Sequence, residues 1–259
     1  MTSVRLDELT TFEVQRLLSD PDKRCGLLLP VGCTEQHGPN LPLGCDTAIA
    51  RGAARNAAEN LLAHPQYGAV VMPDLAYTPS PGAESIPGTV AVNFDLLGQS
   101  LSQIISAALR SPWRFVALIN SHAHNHGRVI EASIAGAQGS LGRPVPIVVI
   151  NLYEFAHLGN GLGMCPGSHA GELELALYHY YAGPLPTATP VARWVAPRAR
   201  PNKIYGLDLL PRSNAGILSE QPPNIDRALA VSTKLGQAVD QAVLDALLSN
   251  LDTYFSCWS

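Results

Sequence analysis

The sequence predicts an α/β fold, a three-layer α-β-α sandwich around a mostly parallel sheet. Three observations carry that expectation. Short apolar runs of strand length recur at 27–31, 69–72, 115–119 and 146–151. Segments with apolar residues at helical spacing lie between them, and such alternation implies parallel strands with helices on both faces. No internal repeat, low-complexity tract or interdomain linker interrupts the pattern, so residues 1–259 are expected to form one domain, a length able to bury a large core.

The elements follow in order. Residues 6–18 read as a helix and 27–31 as a buried strand. An alanine-rich helix is expected over 46–63 and a strand over 69–72, followed by a proline- and glycine-rich loop at 77–88. A helix over 95–110 leads to the strand 115–119. A helix over 125–138 precedes the strand 146–151, a helical segment opens at Glu172 and runs to 181, and a long amphipathic helix covers 226–251.

Bulk properties exclude several classes. A formal net charge of −4 gives no electrostatic case for nucleic-acid or membrane partners. No apolar stretch reaches the length of a spanning helix, and residues 1–13 lack a basic region followed by an apolar one. Five cysteines at irregular spacing, none in a CxxC pattern, suit reduced thiols in the cytoplasm better than a disulfide framework or a structural zinc site.

Three polar clusters stand at strand ends or loop-to-helix transitions. Directly after the first strand, the run from Glu35 through His37 to Asp46 sets two carboxylates and an imidazole among glycines and prolines. Carboxylate plus imidazole suits a divalent transition metal. After the strand 115–119, alternating His122, His124 and His126 stand between Asn120 and Gly127. The third cluster, His169-Ala170-Gly171-Glu172-Leu173-Glu174, opens a helix, where acidic residues also complement the macrodipole. In an open α/β sheet the carboxyl ends of the strands face one crevice, so ligands over a hundred residues apart can meet there.

These motifs, TEQHGPNLPLGCD, NSHAHN and HAGELE, resemble those of the creatininase family of metal-dependent amidohydrolases. The resemblance runs from about residue 27 to 174, and its first motif is the most specific. It implies a creatininase-like fold and two divalent ions per chain, zinc, manganese or iron. It implies that Glu35, Asp46 and His122 hold one ion, and that His37, Asp46 and a further carboxylate hold the second, with Asp46 bridging. Glu172 is expected as that carboxylate and His169 as the general acid/base. His124 stands where creatinine-hydrolysing members carry a ligating glutamate. It is expected as an active-site residue or alternate ligand, with a hydrogen-bonding role beside the ligands left open. Such members also cover substrate with tryptophans, whereas the comparable positions here are Tyr153 and Cys165, which disfavours creatinine. The family's hexamers imply a homo-oligomer.

The chemistry can be reasoned independently. An amide carbonyl is a poor electrophile and neutral water a poor nucleophile, and two ions roughly 3.5–4 Å apart address both deficits. The two oxygens of Asp46 suit a bridge, and an imidazole at His169 can carry the water proton to the leaving nitrogen. The expected activity is hydrolysis of an amide-type C–N bond in a small-molecule amide or short peptide, with trimming of a ribosomally made precursor as the alternative. Two other classes remain: a thiol-dependent hydrolase using Cys33, and a non-catalytic metal-stabilised binding protein. The glycines at 159, 161 and 163 do not lead from strand to helix as a dinucleotide fingerprint must and suit a lid loop instead. In the 77–88 loop Glu84 is a candidate of lower rank, and His64, His157 and His179 read as ordinary hydrogen-bonded histidines.

Overall fold

The computed structural model describes residues 3–125, 127, 129, 131, 132, 135, 146–164, 169–185 and 223–257. Four parallel strands form its sheet in the order β2-β1-β3-β4: β1 Arg24–Val31, β2 Tyr67–Val71, β3 Phe115–Asn120 and β4 Ile147–Asn151. Helix α1 is Thr11–Leu18, α2 Cys45–Ala63, α3 Phe94–Leu109, α4 Glu172–Ala182 and α5 Ile225–Cys257. The expected helix over 125–138 lies mostly outside the described residues, as do His126 and Cys165.

Alternation along each strand sorts side chains onto two cores. Leu28 of β1, Phe115, Ala117 and Ile119 of β3, and Val148 and Ile150 of β4 pack with α2, α4 and α5. Leu27, Leu29 and Val31 of β1 and Val116 and Leu118 of β3 pack with α3, with α1 against the same core. Both faces are therefore covered, which explains why the strands read as continuous apolar runs. The three layers expected from the sequence are those observed, and no helix among the described residues is long and apolar enough to cross a membrane.

Several boundaries differ from expectation, and two near the start of the chain do so for local reasons. The helix expected over 6–18 breaks into a 3-10 turn, Leu6–Glu8, and α1. Thr10 caps α1 through a reciprocal box with Glu13, which satisfies two otherwise orphaned amides and fixes the start. The strand expected at 27–31 begins at Arg24, with Gly26 against Phe115; a Cβ there would come within 2.4 Å of the ring.

The strand order places the site. From β1 the chain passes through α2 to β2 on one side, then through α3 to β3 on the other, so β1 and β3 diverge at a topological switch point. The Glu35–Asp46 loop leaves β1 there, and the His122 segment leaves β3 beside it. Gly32 lets the first turn of α2 close onto the end of β1: an added Cβ would lie 2.4 Å from the Thr47 backbone. Thr47 Oγ1 donates to the Cys33 carbonyl at 2.9 Å and pins this junction.

Candidate metal centre

Asp46 lies in the first turn of α2, where the positive end of the helix favours an anion. Its side chain is 1% exposed, and its two oxygens face different partners. Oδ2 meets His122 Nδ1 at 2.8 Å, and the same imidazole nitrogen stands 3.7 Å from Glu35 Oε2. His122 Nε2 donates to the Pro79 carbonyl at 2.9 Å, so that an ion displacing the Nδ1 proton would find the Nδ1 lone pair turned toward it. Asp46 Oδ1 lies 3.4 Å from His37 Nε2. Neither of those buried atoms has a well-formed hydrogen bond among the described residues. His37 Nδ1 donates to the Glu35 carbonyl at 2.9 Å, so its Nε2 would present a lone pair inward once an ion displaces its proton.

The carboxylate facing His37 is Glu174, not the expected Glu172. Glu174 Oε2 stands 3.9 Å from His37 Nε2 and accepts the Ala170 amide at 2.6 Å, while Oε1 accepts the Tyr153 hydroxyl at 2.8 Å. Glu172 points instead to α5. Arg227 grips it with Nε at 3.0 Å and Nη2 at 2.5 and 2.7 Å, and the Asn224 amide adds a bond of 2.9 Å. Residues 172 and 174 are two positions apart on one helix and so project to nearly opposite sides. Only one could face the crevice, and the other clamps α5.

Two donor sets therefore meet at Asp46: Glu35, His122 and Cys33 gather at Oδ2, and His37 faces Oδ1, with Glu174 Oε2 3.9 Å from the same His37 nitrogen. Within each of the groups Cys33–Glu35–Asp46–His122, His37–Cys45–Asp46 and His37–His169–Glu174, the ligand atoms lie within 4.8 Å of one another. Buried imidazole and carboxylate atoms without partners are costly unless something satisfies them. A divalent cation bridged by Asp46 would do so, and the donor chemistry fits zinc, manganese or iron.

His169 stands at the edge of this group. Its Nε2 lies 2.6 Å from the Gln36 carbonyl, and its ring centroid is 4.4 Å from that of His37. The following residue, Ala170, adopts a left-handed backbone with φ 55°, which an L side chain takes up at some cost. That turn aims the Ala170 amide at Glu174 and couples the His169 loop to the carboxylate. His124 is exposed, with its ring centroid 5.1 Å from that of His122, and no hydrogen bond joins it to the centre among the described residues. Partial burial of its imidazole and the neighbouring imidazoles His122 and His169 push its pKa down to about 4, against the pull of Asp46. Glu84, exposed on the partly buried 77–88 loop, accepts the Gly82 amide at 2.8 Å and stabilises a surface turn. Sequence reasoning did not single out Glu174, the Tyr153 hydroxyl as its anchor, or the Pro79 carbonyl that orients His122.

The family model for creatininase, described as creatinine amidohydrolase, matches residues 7–249. The chain belongs to the creatininase family. A mycofactocin precursor peptide peptidase of Mycolicibacterium smegmatis is 40% identical over 99 residues, a match spanning 38% of this chain and 40% of the relative. A protein of the same description from Mycobacterium tuberculosis is 26% identical over 233 residues, covering 87% of this chain and 84% of its own. A solved structure titled "Creatininase Mn" superposes with a TM-score of 0.70 at 23% identity, covering 98% of this chain and 99% of the other. That creatininase likeness supports the α/β fold.

Charge around the centre sets the pH behaviour of metal uptake. Burial works to lower the His37 pKa, but the charge and close approach of Asp46, with Glu174 beyond, outweigh it and raise the value to about 10. His122 moves upward through Asp46 and Glu35, again against burial. Asp46 is held well below the usual carboxylate range by His37 and His122, despite its burial. Without metal, His37 is thus an imidazolium at neutral pH. Because its folded pKa exceeds the ordinary imidazole value, this pairing stabilises the metal-free fold below about pH 6.5 and is lost as pH rises through about 10. Metal needs neutral imidazole and displaces the proton. Metal affinity is expected to rise with pH up to that value, and titration of metal-free protein in weak buffer should release at least one proton per chain.

Proposed function

We propose that this protein is a metal-dependent hydrolase cleaving an amide-type C–N bond, with a dinuclear centre of Glu35, Asp46 and His122 on one side and His37, Asp46 and Glu174 on the other. The observation that carries it is the division of Asp46 between two donor sets, one oxygen toward His122 and the other toward His37. Bound divalent ions would supply a water of lowered pKa and polarisation of the substrate carbonyl. The chain's own residues do the rest. Asp46 neutralises both buried histidines, and the Pro79 and Glu35 carbonyls hold those rings in the tautomers that face inward. Tyr153 and the Ala170 amide fix Glu174, and His169 stands where it can take a proton and return it to the leaving nitrogen.

Within that class the reading favoured is a short peptide, as in trimming of a ribosomally made precursor, with a small-molecule amide second. The M. tuberculosis relative that matches most of the chain is described as a precursor peptide peptidase, which supports the peptide. Tyr153, at a position comparable to a tryptophan of creatinine-hydrolysing members, spends its hydroxyl on Glu174, which argues against creatinine. We place this one-domain enzyme in the cytoplasm as a homo-oligomer, a hexamer by family resemblance. The free thiols of Cys25, Cys33, Cys45 and Cys257 suit a reducing compartment, and the net charge of −4 speaks against nucleic-acid or membrane partners.

The test is metal analysis with a peptide and amide panel on protein purified without tag or chelator. About two equivalents of zinc, manganese or iron per chain are expected, with hydrolysis abolished by chelation and restored by the ion. Hydrolysis that survives chelation and ceases on thiol alkylation would move the chemistry to Cys33. Metal-loaded protein that cleaves nothing in the panel would favour the binding protein.

A further inference from the structure

Cys33 lies two residues beyond β1, fully buried, and its sulfur points at the centre. Sγ is 3.1 Å from Asp46 Oδ2 and 3.7 Å from Glu35 Oε2, and all four candidate atoms of this group, Sγ, Glu35 Oε2, Asp46 Oδ2 and His122 Nδ1, lie within 4.8 Å of one another. Around a tetrahedral zinc with ordinary bond lengths, neighbouring ligand atoms would stand about 3.3–3.6 Å apart. The observed separations of 2.8 Å (His122 to Asp46), 3.1 Å (Cys33 to Asp46) and 3.7 Å (His122 to Glu35, and Cys33 to Glu35) bracket that range. Small side-chain adjustments suffice. The backbone is held for the purpose: the Cys33 carbonyl accepts Thr47 Oγ1, and Gly32 admits α2 so closely that Cys33 and Asp46 are locked face to face. The other oxygen of the same carboxylate, the buried Asp46 Oδ1, has no well-formed hydrogen bond among the described residues and faces His37 in the second donor set.

We propose that the Cys33 sulfur is a fourth protein ligand of the ion held by Glu35, Asp46 and His122, giving this site one soft donor and a preference for zinc over manganese. The inference rests on the dinuclear reading above. Ligation breaks the S–H bond, releases the proton to solvent and forms a sulfur–metal bond, with no change in oxidation state. Thiolate selects zinc, whereas carboxylate, carbonyl and water suit manganese. A sulfur committed to an ion is also withheld from nucleophilic attack, which separates this role from a cysteine hydrolase.

The experiment is cobalt(II) titration of chelator-stripped protein, followed by absorption. Ligand-field bands reaching saturation at about two equivalents report the centre itself. A near-ultraviolet sulfur-to-cobalt charge-transfer band reports ligation by cysteine. The wild type is expected to show both. Cys33→Ser should lose the charge-transfer band and keep the ligand-field bands, with zinc affinity falling by at least the roughly tenfold that loss of even an outer partner costs. Cys45→Ser should keep both. Ligand-field bands without charge transfer in the wild type overturn the sulfur ligand and leave the dinuclear reading standing. A charge-transfer band that survives Cys33→Ser overturns the assignment to Cys33. Absence of any cobalt binding overturns the dinuclear reading and this inference with it. Should Cys33→Ser fail to fold, X-ray absorption of zinc-loaded wild type decides: sulfur at about 2.3 Å supports the proposal and its absence overturns it.

Discussion

Asp46→Ala is expected to reduce bound metal from about two ions per chain to well below one. Activity should fall further than the roughly 10⁴-fold upper limit for loss of one acid–base group. The expectation follows from position rather than charge alone. Both oxygens of Asp46 are committed, Oδ2 toward His122 and Oδ1 toward His37, so its removal opens both donor sets at once. The fold should tolerate the change. With the carboxylate gone, His37 and His122 lose the charge that raises their pKa values and can sit neutral, so no uncompensated buried cation is forced on the structure. The Ser121 hydroxyl binds the Asp46 backbone carbonyl, which survives the substitution. Metal analysis paired with a thermal melt checks both parts. Unchanged metal loading would remove the bridging role. Glu172→Gln is the control, because its carboxylate sits on Arg227 and its loss should leave metal content unchanged.

The contrast between Asp46 and Glu172 shows what the sequence could and could not say. The strands were legible because a sheet covered on both faces leaves uninterrupted apolar runs. The loop after β1 and the histidines after β3 were legible because their polar residues follow such runs directly. Glu172 and Glu174 are chemically identical and two positions apart, and the sequence near them carries no reason to prefer one. The deciding partner, Arg227, is 55 residues further on and meets Glu172 only through packing of α4 against α5. The Pro79 carbonyl was invisible for another reason, since a backbone acceptor leaves no trace in residue type. The break ahead of α1, by contrast, was written in the Thr10–Glu13 capping box, and α5 runs to Cys257 because neither glycine nor proline stands between 251 and 257 to stop it.

His169→Ala is expected to leave about two ions bound and to lower kcat by about 10²–10⁴-fold, the range of a positioned acid–base group. The geometry admits two roles, and this variant separates them. His169 stands beside the second donor set, with its ring 4.4 Å from His37 and a ligand atom within 4.8 Å of those of His37 and Glu174. A third ligand there would draw its lone pair toward the ion. In the structure, however, His169 Nε2 is engaged at 2.6 Å by the Gln36 carbonyl, and the side chain is partly exposed on a loop, whereas His37 and Glu174 are buried. A residue held by a backbone carbonyl at the rim can meet both substrate and solvent, which proton transfer requires and ligation does not. If metal stays near two while kcat collapses, His169 moves protons. If metal falls toward one and kcat falls with it, His169 is a ligand of the ion at His37 and Glu174, and the proton carrier must be sought elsewhere, with exposed His124 the nearest remaining imidazole of the expected set.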